Sequence, residues 1–259
     1  MATRGAELRI QLCGALVTER GETRVGERRL PGRLGRRLWP YLVLARGRPI
    51  GHDELAEALW GDEVPDAWTE SLSALVSRLR VAFRALAEVR IRGEVGRYEL
   101  ALPADAFVDL ERSWKALLRS EAALRAGDAA TALAESLVAR AIGERGFLPG
   151  EDGPWIEGRR RALHETLVQA TEFAAEAELR RGEYAGAERI ARAAVVLDPL
   201  RESGYRLLMR ALAAAGNGAQ AVRIMDECRA ALRDEAGAAP SAATERAFRE
   251  AVGLARQNR

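Results

Sequence analysis

Eight side chains carry the most legible chemistry in this sequence: Thr69, Ser73, Ser77, Arg78, Arg80 and Arg84 in one segment, and Arg92 and Arg97 shortly after it. A guanidinium presents its donors in a planar fork that matches phosphate oxygens and paired acceptors on a base edge. Ser and Thr hydroxyls bond to either. At 100° per residue, Glu70, Ser73, Ala74, Ser77, Val81 and Arg84 share one side of a helix, with Arg78 and Arg80 on its two flanks. Leu72, Leu75, Val76, Leu79, Phe83 and Leu86 recur at helical spacing on the other side, which predicts a helix over residues 67–86 that buries one stripe and exposes the polar one. The chemistry of such a face is contact with a polyanion, arginines neutralising phosphates and the outward residues meeting base edges. The plainer reading is a solvated face whose arginines find i,i+4 partners.

The elements around that helix weigh toward the first reading. Val89 and Ile91, then Tyr98, Leu100 and Leu102, alternate across a turn at Gly93–Gly96, which predicts a β-hairpin wing with Arg97 near its tip. Before the helix, Leu55, Ala56 and Leu59 share a face of a shorter one, capped by His52-Asp53 and stopped by Trp60-Gly61, with Trp60 in the core. A helix over Gly35–Arg46 contains Pro40, which removes a backbone donor and requires a kink or a late start. Residues 8–30 alternate around Leu8, Ile10, Leu12, Val17 and Val25 and predict three or four short antiparallel strands. Strands, three helices and a hairpin make a winged helix-turn-helix.

After Pro103 the composition shifts to Ala, Leu and Arg with helical periodicity, so the 259 residues divide into an α+β domain, 1–103, and an all-α domain, 104–259. In the second, the phrase Gly, polar, any, Ala, any, Ala begins at Gly127, Gly182 and Gly216. The last two copies lie 34 residues apart, the period of tetratricopeptide repeats, whose small residues let paired helices approach closely. The first two lie 55 apart. The surplus includes Gly146–Gly150 and Gly153-Pro154-Trp155, a loop expected to pack over the helices with Phe147 and Trp155 as plugs. Thr244–Arg256 reads as a capping helix.

The net charge of +2 is too small to mark a nucleic-acid binder by itself. Its distribution says more: Arg28, Arg29, Arg33, Arg36, Arg37, Arg46 and Arg48 form an acid-free stretch, Arg78 to Arg97 a second basic one, and Asp53 to Glu70 an acidic one between them. Cys13 and Cys228 lie in apolar surroundings and read as core thiols in a reducing cytosol. His52 and His164 are the only histidines, and neither has metal-site spacing around it. Gly32–Gly35 lacks the Lys-Ser/Thr of a phosphate loop, and no nucleophile, base and orienter form a set. No window reaches the roughly 18 apolar residues of a spanning helix. The expectation is a cytoplasmic, non-enzymatic protein with no membrane partner, no cofactor and no metal.

The motifs Glu54-Leu55 to Gly61, Val76-Ser77-Arg78-Leu79-Arg80, Gly96-Arg97-Tyr98 and Leu197-Asp198-Pro199-Leu200-Arg201-Glu202, in this order, resemble those of the SARP-type regulators. These bacterial transcription activators join an OmpR-like winged helix to a bacterial transcriptional activation domain (BTAD) of tetratricopeptide-like repeats. The resemblance implies binding to promoter repeats in double-stranded DNA and recruitment of RNA polymerase, and it allows a homodimer on direct repeats. The alternative is a repeat scaffold for protein interaction whose winged helix has lost DNA binding, a reading that Glu70 and Val81 on the outward face favour.

Overall fold

The computed structural model describes residues 6–257. It forms two compact units: one runs to Arg112 and takes in Arg145–Leu163, and the other comprises Ser113–Glu144 and the chain from His164 onward.

In the first unit, β1 (Arg9–Gln11), β2 (Val17–Arg20) and β3 (Thr23–Gly26) make an antiparallel meander. The fourth strand of this sheet is β7 (Phe107–Val108), which lies outside the predicted strand region 8–30 and pairs with β1 in parallel. Two residues are too few to leave an alternation signal. Helix α1 (Gly32–Leu44) starts three residues before the predicted position and runs through Pro40. Proline at 40 leaves the Arg36 carbonyl without its helical donor, while Leu38, Trp39, Leu42 and Val43 go into the core. The Trp39 indole donates to the Thr18 hydroxyl at 3.1 Å, and its ring lies 4.1 Å from that of Phe83.

Strand β4 (Ile50–Gly51) leads into α2 (His52–Trp60), and α3 spans Trp68–Ala82. His52 does not cap α2: it is the first helical residue, its amide donating to the Gly96 carbonyl at 3.0 Å, and Asp53 and Glu54 lie in the first turn, where carboxylates complement the helix dipole. Trp60 is half-buried rather than core. α3 ends four residues short of the predicted 86, yet Phe83 and Leu86 are still buried because a tight turn follows. The whole apolar stripe from Leu72 to Leu86 is therefore inside. β5 (Arg90–Glu94) and β6 (Arg97–Ala101) form the hairpin, with β4 on the other edge of β6. Its turn is Val95-Gly96, Gly96 taking a φ of +71°, and Gly93 is a strand residue opposite Tyr98.

In the second unit, helices α4 (Asp109–Ala126, from Ser113), α5 (Ala129–Gly143), α6 (Pro154–Arg180, from His164), α7 (Tyr184–Leu197), α8 (Glu202–Ala214) and α9 (Gly218–Ala236) follow in order, and α10 (Ala242–Gln257) closes the array as predicted. The three repeated phrases occupy equivalent turns, after α4, α6 and α8. Gly127, Gly182 and Gly216 have φ of +80°, +79° and +79°. The next amide reaches back each time, Asp128 to the Ala123 carbonyl, Glu183 to Glu178 and Asn217 to Leu212, at 2.8 to 3.0 Å. This is the Schellman closure that satisfies leftover helix carbonyls. Ala132, Ala187 and Ala221, five residues after each glycine, are fully buried. A core of Tyr205, Leu208, Met209, Leu212, Ile224, Met225 and Cys228 fills the last pairs. Burial pushes the Cys228 thiol up to about 11, and raises that of Cys13 too.

Both thiols are thus protonated and covered at neutral pH. Iodoacetamide at pH 7.5 should label neither cysteine in the native protein and both in denaturant, as read by intact mass. Gly216→Ala should lower stability by about 1 kcal/mol in urea unfolding, since a side chain meets open space there but a disfavoured backbone.

Candidate nucleic-acid interface

The interface begins with the stripe that buries one side of α3, because the same helical period turns the other side to solvent. Thr69, Ser73, Ser77, Arg78, Arg80 and Arg84 are all exposed, as are Arg92 and Arg97 on the hairpin. Their local commitments differ. Thr69 donates to the Glu70 carboxylate at 3.0 Å, and Arg78 to the Ala74 carbonyl of its own helix at 3.3 Å. The Ser73 hydroxyl lies 3.5 Å from that of Tyr98. Among the described residues, Arg84, Arg92 and Arg97 pair with no carboxylate.

Arg80 joins the helix to the wing. Its Nε donates to the Ile91 carbonyl at 3.0 Å, and the guanidinium lies 5.9 Å from the centre of the Tyr98 ring. Tyr98 is the buried strand aromatic its alternation predicts, stacked on His52 with ring centres 4.7 Å apart. Gly93 leaves the space: a Cβ there would come within 3.2 Å of both the Arg80 fork and the tyrosine ring.

The strand register then fixes the outer face of the wing. Arg92 lies opposite Glu99, and Arg97 opposite Glu94, so the face alternates in sign, and both arginines line one small recess. Val95 at the tip is fully exposed. Arg90, outside the predicted set, sits between two open clefts of about 310 and 250 Å³ that also carry Arg92 on one side and Arg80 and Arg84 on the other. Its place in the second basic stretch was the signal available in the sequence.

The first basic stretch serves a different purpose. Arg33, Arg36 and Arg37 converge on the buried Glu151 carboxylate at 3.2, 2.8 and 3.2 Å. Arg46 pairs with Glu111 and Arg48 with Glu54, whose carboxyl is held below its ordinary range first by the Arg48 hydrogen bond. Arg160 donates to the carbonyls of Phe147, Leu148 and Glu151. Five of the seven arginines of the first run are thus paired with carboxylates, whereas Arg84, Arg92 and Arg97 of the second meet none among the described residues.

Comparison with known proteins identifies the family. Residues 108–251 match the family model of the bacterial transcriptional activator domain, more than half of the chain. The chain is a member of the SARP-type regulators. It is similar to the regulatory protein AfsR of Streptomyces coelicolor, 33% identical over 79% of this chain, and to AfsR of Streptomyces griseus, 30% identical over 79%. The chain spans about a fifth of the length of these relatives, the matches covering 20% and 21% of them. Its fold is like that of Mycobacterium tuberculosis EmbR, solved in complex with a low-affinity phosphopeptide, with a TM-score of 0.81 at 24% identity over 97% of this chain and 66% of that one. As a SARP-type regulator the chain falls among proteins of transcription regulation with helical, tetratricopeptide-like repeats. No described helix is long and apolar enough to cross a membrane.

Because Arg80 ties α3, of which it is part, to β5, its loss should loosen the wing before the helix. Arg80→Ala should cost about 1 to 2 kcal/mol and speed amide exchange in residues 90–101 more than in 68–82, as read by hydrogen-exchange mass spectrometry.

Proposed function

We propose that this regulator binds double-stranded promoter DNA in a sequence-specific way, with α3 in the major groove and the wing on the adjacent backbone. The observation that carries the reading is the outward face of α3, exposed along its whole length beside hairpin arginines that have no carboxylate partner among the described residues. In the proposed division of labour, Ser73 and Ser77 meet base edges with Arg78, while Arg84, Arg92 and Arg97 neutralise phosphates. Thr69, at the start of the helix, bonds a phosphate or a base edge, and Arg80 adds charge from the helix–wing seam. DNA contact stays within residues 1–103.

The repeats of 104–259 then serve protein contacts, including recruitment of RNA polymerase as an activator and a homodimer on direct promoter repeats. Support comes from the family and from the three matched helix pairs. The same reading makes the protein cytoplasmic and non-enzymatic, in keeping with relatives named as regulatory proteins.

An electrophoretic shift with the fragment upstream of its own gene should survive nonspecific competitor. If competitor removes it entirely, the sequence-specific reading is wrong and the scaffold reading gains. In a salt titration, Arg84→Ala and Arg97→Ala should each weaken binding to all sequences and reduce the log–log slope by about 1. Ser77→Ala should leave the slope alone and change the preferred sequence; equal behaviour of all three variants would reject this assignment.

A further inference from the structure

Helix α2, which precedes α3, ends without a basic residue in its last turn. A helix C-terminus leaves four carbonyls without helical donors, and here each has a specific one. The Glu57 carbonyl accepts from the Gly61 amide at 2.8 Å, and that of Trp60 from the Glu63 amide at 3.2 Å. The other two are served from elsewhere in the chain. The Trp155 indole donates to the Ala58 carbonyl at 3.0 Å, and Arg37 Nη1 to the Leu59 carbonyl at 3.2 Å.

Both donors are held by the segment 145–163, which the family match assigns to the activator domain but which packs in the first compact unit. Arg37 is fixed by its ion pair with Glu151. Trp155 is fixed edge-on by Tyr41 and Phe147, with ring centres 5.2 and 5.8 Å away. Phe147 is anchored through a bridge to Cys13, next to the Gly14 amide that donates to Gly146 at 2.8 Å.

We infer that Trp155 and Glu151 are positioning residues of the DNA-binding unit: they cap α2 from outside its own sequence and so fix the turn, residues 61–67, that aims α3. Neither touches the proposed DNA face. Their effect passes through two helix carbonyls, and it rests on the proposed function only where DNA affinity is the readout.

The test uses the full chain. Trp155→Phe keeps an aromatic ring against Tyr41 and Phe147 and removes the donor to Ala58; Glu151→Gln keeps an acceptor and removes the charge that holds Arg37. Each should speed amide exchange several-fold in residues 58–68 of the free protein, with little change in β1–β3 or the repeats. Each should also lower affinity for the upstream fragment about three- to tenfold, the range expected for one neutral hydrogen bond. The salt slope should not change, because no phosphate contact is lost. Unchanged exchange at 58–68, or an increase spread evenly over the unit, overturns the proposal. If the unaltered chain binds no duplex, the DNA reading fails, while the exchange comparison still decides the capping role by itself.

Discussion

A carboxylate buried at residue 151 and three guanidinium groups on α1 tie a distant segment of the chain into the first unit. Taking Glu151 out of water is costly unless its charge is matched, and three arginines at i, i+3 and i+4 would repel one another without it. Each side compensates for the other. The side-chain exposures rise outward, 5% for Glu151, then 15% for Arg37, 36% for Arg36 and 54% for Arg33, so screening is least where Arg37 passes on to the Leu59 carbonyl. Because Glu151 lies more than a hundred residues from these arginines, the contact also fixes where a distant stretch of chain must lie.

A similar division of labour runs through α3. Its buried stripe supplies cohesion, and its outward side is left to hydroxyls and charges that the core does not need. Arg80 belongs to both purposes, its Nε bonded to the Ile91 carbonyl of β5 although the residue is exposed. Arg80 over Tyr98 over His52 forms a seam between the helix and the wing, and the outward residues of α3 inherit their placement from it.

Much of this was readable from local pattern. The α3 stripe, the hairpin alternation and the glycine-led phrases each repeat at a period that only one element satisfies, and each lies where the pattern puts it. The failures share a physical cause. β7 is two residues long and owes its existence to β1, so no periodicity announces it. His52 looked like part of a cap because polar residues precede an apolar run, but Gly51 and the Gly96 carbonyl occupy that role. The acid-free arginine run did not disclose its pairing because charge patterns reveal composition and not partners, and the carboxylate that Arg36 meets is 115 residues away.

The three glycine turns and the segment 145–153 show how one sequence serves two kinds of order. At Gly127, Gly182 and Gly216 the closure is local: a positive φ, a backward amide bond and a buried alanine five residues on, all within one phrase. Such turns repeat because each is complete in itself. Residues 145–153 contain glycines of the same left-handed kind, at 146 and 150, but their bonds go to Leu12, Gly14 and the arginines of α1. A segment that meets its hydrogen bonds locally can be copied along a repeat array, whereas one that meets them at a distance cannot. The segment is part of the 21 residues by which the first repeat spacing exceeds the 34 of the second, and it explains why a family match bounded by residues 108 and 251 cuts across the compact units.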